Sequence, residues 1–298
     1  MGGVIEGFRR MRVPGDGVEL SVQRAGAGEP LVLLHGFPQT GMCWGRVAPV
    51  LAADFDVIVP DLRGYGASDA PVDDHGHLTY SKRAMARDVV AMLDHLGLGA
   101  AHVLGHDRGA RVAYRLALDH PGRVRRLGII EIATTADYWA HWDAGMAMAA
   151  WHWTFLAQPA PLPETMIAAD PVGVIEWFLR SWTMARDLSV FPPAALESYR
   201  AQAREPARIH AMCADYRAGA SVDRAMDEAD RAEGRRIEAP LRFLWGRHGF
   251  PARTGDPGAL WRAWSDDVTD SACASGHFVM EEAPEAVLEA FLPFFRAG

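Results

Sequence analysis

The sequence predicts an α/β fold: a mostly parallel central sheet flanked by helices, with a helical segment inserted late in the sheet. Three observations predict it. Short apolar, β-rich runs alternate with helix-period stretches through the first 135 residues, strand-like runs then vanish for about a hundred residues, and they return at Leu241. The expected boundaries are 1–135 and 236–298 for a core domain and 136–235 for a helical cap. A length of 298 residues could hold two domains, but one α/β unit with an insertion also reaches it.

Each element rests on its own pattern. Residues 18–24 alternate like an exposed strand, whereas 31–34 (Leu-Val-Leu-Leu) and 57–59 (Val-Ile-Val) are continuous apolar runs of the kind buried on both faces of a parallel sheet. Helical periodicity covers 41–53 and 80–97, the second ending at Gly97. A third buried strand at 101–105 leads at once into a helix over 108–119 that stops before Pro121, and a fourth apolar run occupies 127–132. The cap should consist of helices near 138–156, 171–184, 193–203, 206–219 and 222–233, interrupted by the Pro-rich stretch 158–163. Residues 241–245 and, more weakly, 268–273 resume the sheet, and a helix over 281–296 closes the chain.

Composition narrows the function. A net charge of -8 opposes general nucleic-acid binding and gives no support to an anionic membrane surface. No run approaches the roughly 18 apolar residues of a membrane span, and the first residues lack a signal-peptide core, so a cytoplasmic location is expected. Cys43, Cys213 and Cys273 are scattered and odd in number, which indicates neither a disulfide framework nor a zinc cluster; no metal and no cofactor are expected. The partner expected is a small molecule. Of the 30 cationic side chains only Lys82 is lysine, so one arginine near another group means little by itself. Six of the ten Trp fall between 139 and 182, a density that suggests an aromatic-lined cavity in the cap.

The chemistry centres on Gly105-His106-Asp107-Arg108-Gly109, which joins a strand to a helix and has the form of a nucleophile elbow. Small flanking residues let the chain turn sharply and lift the central side chain above the sheet. Here that side chain is Asp107. His277, between the last strand and the closing helix, completes the order nucleophile, acid, base. The orienting acid could follow either of two strands: Glu131 ends the run 127–132, and Asp256 is the first acid after Trp245, with Glu131 preferred for its position at a strand end. An Asp nucleophile attacking saturated carbon yields an ordinary ester that His277 can hydrolyse by activating water. The substrate should therefore carry a leaving group on sp3 carbon, a halide or an epoxide oxygen. Arg108 and Arg111 share a helix face beside Asp107 and are suited to hold a substrate carboxylate, which favours a haloacid.

These residues resemble the fluoroacetate (haloacetate) dehalogenases of the α/β-hydrolase superfamily, a group that also includes haloalkane dehalogenases and epoxide hydrolases. The resemblance runs through His35-Gly-Phe-Pro-Gln-Thr40, Asp61-Leu-Arg-Gly-Tyr-Gly-Ala-Ser-Asp69, Gly105-His-Asp-Arg-Gly-Ala-Arg111, Trp151-His-Trp-Thr-Phe-Leu-Ala-Gln158, Asp215-Tyr-Arg217 and Gly276-His-Phe278. It implies an α/β-hydrolase fold with the cap inserted after the sixth strand, Asp107 as nucleophile, and Arg108 and Arg111 on the substrate carboxylate. It further implies that His152, Trp153 and Tyr216 donate to the departing halide, that Tyr138 and Trp182 line the pocket, and that the protein is a homodimer. Glu131 stands where the family has Asp. The backbone N–H groups of Phe37 and Arg108 are expected to form an oxyanion hole for ester hydrolysis. An epoxide hydrolase, with Tyr138 and Tyr216 aimed at the epoxide oxygen, is the competing reading, and a non-catalytic binding protein of the same fold is a third.

Overall fold

The structure is a computed structural model and describes residues 3–297. Eight strands, β1 (Arg9–Pro14), β2 (Glu19–Ala25), β3 (Glu29–Leu34), β4 (Phe55–Pro60), β5 (Ala101–His106), β6 (Val124–Ile130), β7 (Leu241–Gly246) and β8 (Val268–Cys273), form one sheet in the order β1-β2-β4-β3-β5-β6-β7-β8. β1 pairs antiparallel with β2, and β2 with β4; every pairing from β4 to β8 is parallel. Every residue of β4 and β5 is buried, as the continuous apolar runs require when helices cover both faces. Helices Lys82–His95, Asp107–Asp119 and Pro284–Arg296 supply much of that cover. The last packs so tightly that a Cβ on Gly128 would collide with Phe291 and Leu104.

Register brings the chemistry to one edge. Leu34 pairs with Gly105, His106 with Ile130, Ile130 with Leu244, and Gly246 with Cys273. The segments carrying Phe37, Asp107, Glu131, Arg247 and His277 therefore all leave the sheet at its carboxyl end, where open α/β sheets place their ligands. Between β6 and β7 the chain is helical from Thr135–Ala140 to Val222–Ala232, a cap over that edge inserted after the sixth strand.

Several local expectations differ from the structure. β1 is absent from the sequence reading because three arginines in Arg9–Pro14 break its apolar alternation; pairing with β2 rather than burial makes it a strand. β2 is no exposed strand, since Leu20, Ser21, Val22 and Gln23 are all buried. Residues 41–53 do not form a helix but a 3₁₀ turn, Gly41–Trp44, and a single helical turn, Ala48–Leu51. The expected helix at 138–156 is three short ones, Thr135–Ala140, Ala144–Ala149 and Trp151–Leu156, the first two capped by Thr134 and Asp143 side chains. A helix at Leu162–Ile167 begins inside the Pro-rich stretch, with Pro163 in its first turn where its missing N–H costs nothing. The closing helix starts at Pro284, after a separate turn at Val279–Glu282.

Candidate active site

The elbow is built by close approach. Asp107 has φ 47°, in the left-handed region that a β-carbon disfavours. Gly105 and Gly109 hold it there: a Cβ on Gly105 would strike the backbone of Ala110, and one on Gly109 would strike the carbonyls of Leu34 and His35. Gly36 leaves room for the Asp107 side chain itself. One carboxylate oxygen, Oδ1, accepts the Phe37 N–H at 2.8 Å. The Arg108 N–H lies in the first helical turn, where no intrahelical acceptor exists. Burial would raise the Asp107 pKa, but the charges of His277, Arg108 and Arg111 outweigh it and hold the carboxyl below its ordinary value.

His277 lies between the two acids. Its Nε2 is 3.8 Å from Asp107 Oδ2 and its Nδ1 is 3.9 Å from Glu131 Oε1. Both separations exceed a hydrogen bond and suit a site that tightens around substrate. Glu131 has φ 62°. Its oxygens accept the N–H groups of Gly246 and Phe250, each at 2.7 Å. The end of β7 and the loop after it thus supply donors that fix the longer side chain, and Gly249 vacates the space it needs, since any Cβ there would overlap the carboxylate. Asp256, the alternative acid, caps helix Pro257–Arg262 and pairs with Arg262 at the surface. Burial lowers the His277 pKa, but Glu131 and Asp107 more than offset it, and the net direction is upward. His106 is buried beside it, bonded to the His277 carbonyl at 2.8 Å and pushed down to about 3 by burial, hence a neutral ring.

The two arginines have different surroundings. Arg108 is fully buried and donates through Nε and Nη2 to the Asp215 carboxylate and carbonyl, at 3.1, 2.6 and 2.7 Å, with only Nη1 lacking a protein partner. Asp215 also binds Lys82, the one lysine of the chain, and accepts from Tyr65 at 2.8 Å. Burial pushes Asp215 up, yet Arg108 and Lys82 hold it well below the carboxylate range. Its contribution to stability is therefore present above the unfolded carboxyl pKa and lost as pH falls through the depressed folded value. Asp215→Asn, which leaves buried Arg108 without an ion pair and Lys82 with Asp223 alone at 3.4 Å, is expected to cost about 3–5 kcal/mol in urea unfolding at neutral pH. A change below about 1 kcal/mol would mean that the cations find other partners.

Arg111, by contrast, donates Nη1 to Thr135 Oγ1 at 3.0 Å and forms no ion pair within 4.0 Å among the described residues. Thr135 is held in turn by Tyr114, whose hydroxyl donates to Asp227 at 2.8 Å. The guanidinium lies against the faces of Trp153 and Tyr138, 4.6 and 5.4 Å from the ring centroids.

A cavity of about 640 Å³ opens above Asp107. Of the expected site residues, Asp107, Arg111, Glu131, Tyr138, His152, Trp153, Trp182 and His277 line it, while Arg108, Tyr216 and Phe37 are buried behind them. His152, Trp153 and Tyr216 cluster, each ring of the first two 5.6 Å from Tyr216, and none of their polar hydrogens meets an acceptor among the described residues. Burial keeps His152 neutral, pushed down to about 3. Trp182 joins the cap to His277: its carbonyl accepts the His277 N–H at 2.9 Å and its ring meets the imidazole edge-on at 5.5 Å. Lys82, Asp215 as an anchor, and Gly249 went unread in the sequence. Only the rarity of lysine marked one of them.

The comparisons agree with this architecture. Residues 29–250 match the family model for the alpha/beta hydrolase fold. The chain is 40% identical to a fluoroacetate dehalogenase from Burkholderia sp over 99% of its own length and 97% of the relative's. It is 32% identical to a soluble epoxide hydrolase from Corynebacterium sp. (strain C12), covering 94% of each. A solved structure of an alpha/beta hydrolase from Nostoc sp PCC 7120 superposes with a TM-score of 0.94 at 43% identity, over 98% of this chain and 99% of that one. An elbow that presents a carboxylate to a capped cavity, with His and Glu behind it and relatives matched along its whole length, makes this chain a hydrolase of the alpha/beta hydrolase family.

Proposed function

We propose that the protein is a hydrolytic dehalogenase that converts fluoroacetate or other short 2-haloacids to 2-hydroxy acids and halide. The observation that carries this reading is Arg111: a buried guanidinium at the cavity wall whose only polar contact among the described residues is a neutral hydroxyl. A buried charge of that kind calls for an anion, and a substrate carboxylate supplies one. Arg108 Nη1 offers a further donor. An Asp107 oxygen attacks the carbon bearing the halogen, the C–O bond forms as the C–halogen bond breaks, and the halide leaves toward His152, Trp153 and Tyr216. Donors fixed in a dry site stabilise the charge that accumulates on the halogen without reorganising. His277, oriented by Glu131, then takes a proton from water, and the hydroxide attacks the ester carbonyl of Asp107. The resulting oxyanion is held by the N–H groups of Phe37 and Arg108. Collapse breaks the bond from the Asp107 carbonyl carbon to the alkoxy oxygen, the departing alkoxide takes the proton held by His277 to give the hydroxy acid, and Asp107 returns to its carboxylate as the second proton of the water passes to solvent.

The test sets halide release from fluoroacetate and chloroacetate beside diol formation from styrene oxide, which the epoxide reading requires. Arg111→Leu should lower kcat/KM for haloacetates by about 2–4 kcal/mol in transition-state stabilisation. Turnover of the neutral fluoroacetamide should fall much less, and Arg111→Lys should rescue only in part because an ammonium lacks the planar fork. Normal haloacetate turnover by the leucine variant, or diol formation without halide release by the wild type, would overturn the proposal.

A further inference from the structure

The cavity is far larger than a haloacetate needs. Five heavy atoms fill about three water volumes, roughly 90 Å³, against about 640 Å³ here. The inner end holds Asp107, Arg111, Glu131 and His277; the outer walls are cationic. Arg247 and Arg253 come from the segment after β7, and Arg186 from the cap segment after helix Pro171–Trp182. Arg186 has φ 60°, and its Nη1 donates back to the Ser181 carbonyl. Among the described residues the only carboxylates lining the cavity are Asp107 and Glu131, on either side of His277.

Elsewhere on the surface many arginines are neutralised, although Arg9 and Arg180 are exposed and form no ion pair among the described residues. Arg12, Arg87, Arg204, Arg224 and Arg262 all pair with a carboxylate. Arg186, Arg247 and Arg253 pair with none among the described residues, although the chain carries eight more acids than bases. Three guanidiniums without an ion-pair partner among the described residues thus line one cavity of an acidic protein. Trp177, Phe250 and Met148 line the same cavity, apolar surface suited to methylene groups.

We propose that Arg247 and Arg253, with Arg186 opposite, form a second anion subsite, and that the preferred substrates are 2-halo dicarboxylates longer than haloacetate. This rests on the dehalogenase reading. The carboxylate next to the halogen sits on Arg111, the halogen-bearing carbon faces Asp107, and the far carboxylate meets the guanidiniums at the mouth, where planar forks bind carboxylates in pairs of hydrogen bonds.

Binding to the full chain is read at low salt from quenching of tryptophan fluorescence. Succinate, glutarate and adipate are each compared with the monocarboxylate of equal length: butyrate, valerate and hexanoate. At least one dicarboxylate should bind about tenfold tighter than its partner, a preference that shrinks as salt screens the exposed mouth. In R247Q/R253Q the ratio should fall to about twofold or less. The matching 2-chloro acids should show the same order in kcat/KM. Equal binding of both series by the wild type, or a preference that survives in the double variant, overturns the subsite. Halide release from chloroacetate without any dicarboxylate preference sinks the subsite alone; no halide release from chloroacetate or 2-chlorosuccinate removes the dehalogenase reading and the substrate class with it.

Discussion

Asp107→Asn is expected to abolish halide release, by a factor on the order of 10⁴ or more, while leaving the unfolding midpoint near that of the wild type. The amide keeps the shape of the side chain and its contact with the Phe37 N–H, so the elbow should persist. It lacks the negative charge that displaces a halide, and no Ser or Cys occupies the slot to replace it. Oxygen-18 water distinguishes covalent catalysis from direct attack by water. In the covalent route water attacks the ester carbonyl, so after one turnover the label lies in the Asp107 carboxylate and the first hydroxy acid is unlabelled. Later turnovers export it. Label in the product of a single turnover, with none in the protein, would exclude Asp107 as nucleophile.

His277→Ala should release up to one equivalent of halide and then stall, because the first step uses a carboxylate that is already ionised and needs no base. The stalled ester should add the mass of the substrate less its halide to the intact protein. Multiple turnovers at a rate close to the wild type would move the base elsewhere, with neutral His106, 4.7 Å away between ring centroids, the first place to look. The wild type should imitate this variant in mild acid. His277 must be neutral to accept a proton from water, and its pKa is raised by Glu131 and Asp107 against the downward pull of burial. In the ester Asp107 has lost its charge, so His277 titrates lower there than in the free protein. Turnover should fall as pH drops through that value, while the halide burst continues until Asp107, held below the usual carboxylate range, is protonated in turn. Loss of burst and turnover at the same pH would contradict this division of labour.

The meeting of Asp107, Glu131 and His277 at one edge of the sheet was legible because each is tied to a strand end, and parallel strands announce themselves as short apolar runs. Once 101–105 and 127–132 are strands, Asp107 and Glu131 must emerge at the same edge of the sheet. Glu131 over Asp256 followed from position alone. How a side chain one methylene longer is accommodated did not: that depends on Gly249 and on two N–H groups, from the end of β7 and the loop after it, more than a hundred residues away. The equal roles expected for Arg108 and Arg111 followed from helix spacing, which places both on one face but says nothing about what faces them.

By itself, the sequence determined the order of the strands from β2 to β8, the helical insertion between β6 and β7, the turn that presents Asp107, and the set of groups available for chemistry, since backbone preference and apolar periodicity act over a few residues. Only the tertiary structure decided how those groups are used. Asp215 reaches Arg108 and Lys82 across more than a hundred residues and neutralises one guanidinium, while Arg111, three positions along the same helix, is left facing the cavity with a hydroxyl as its polar contact. Charge pairing depends on distance in space, and a buried cation binds substrate only if the fold has not already given it an anion.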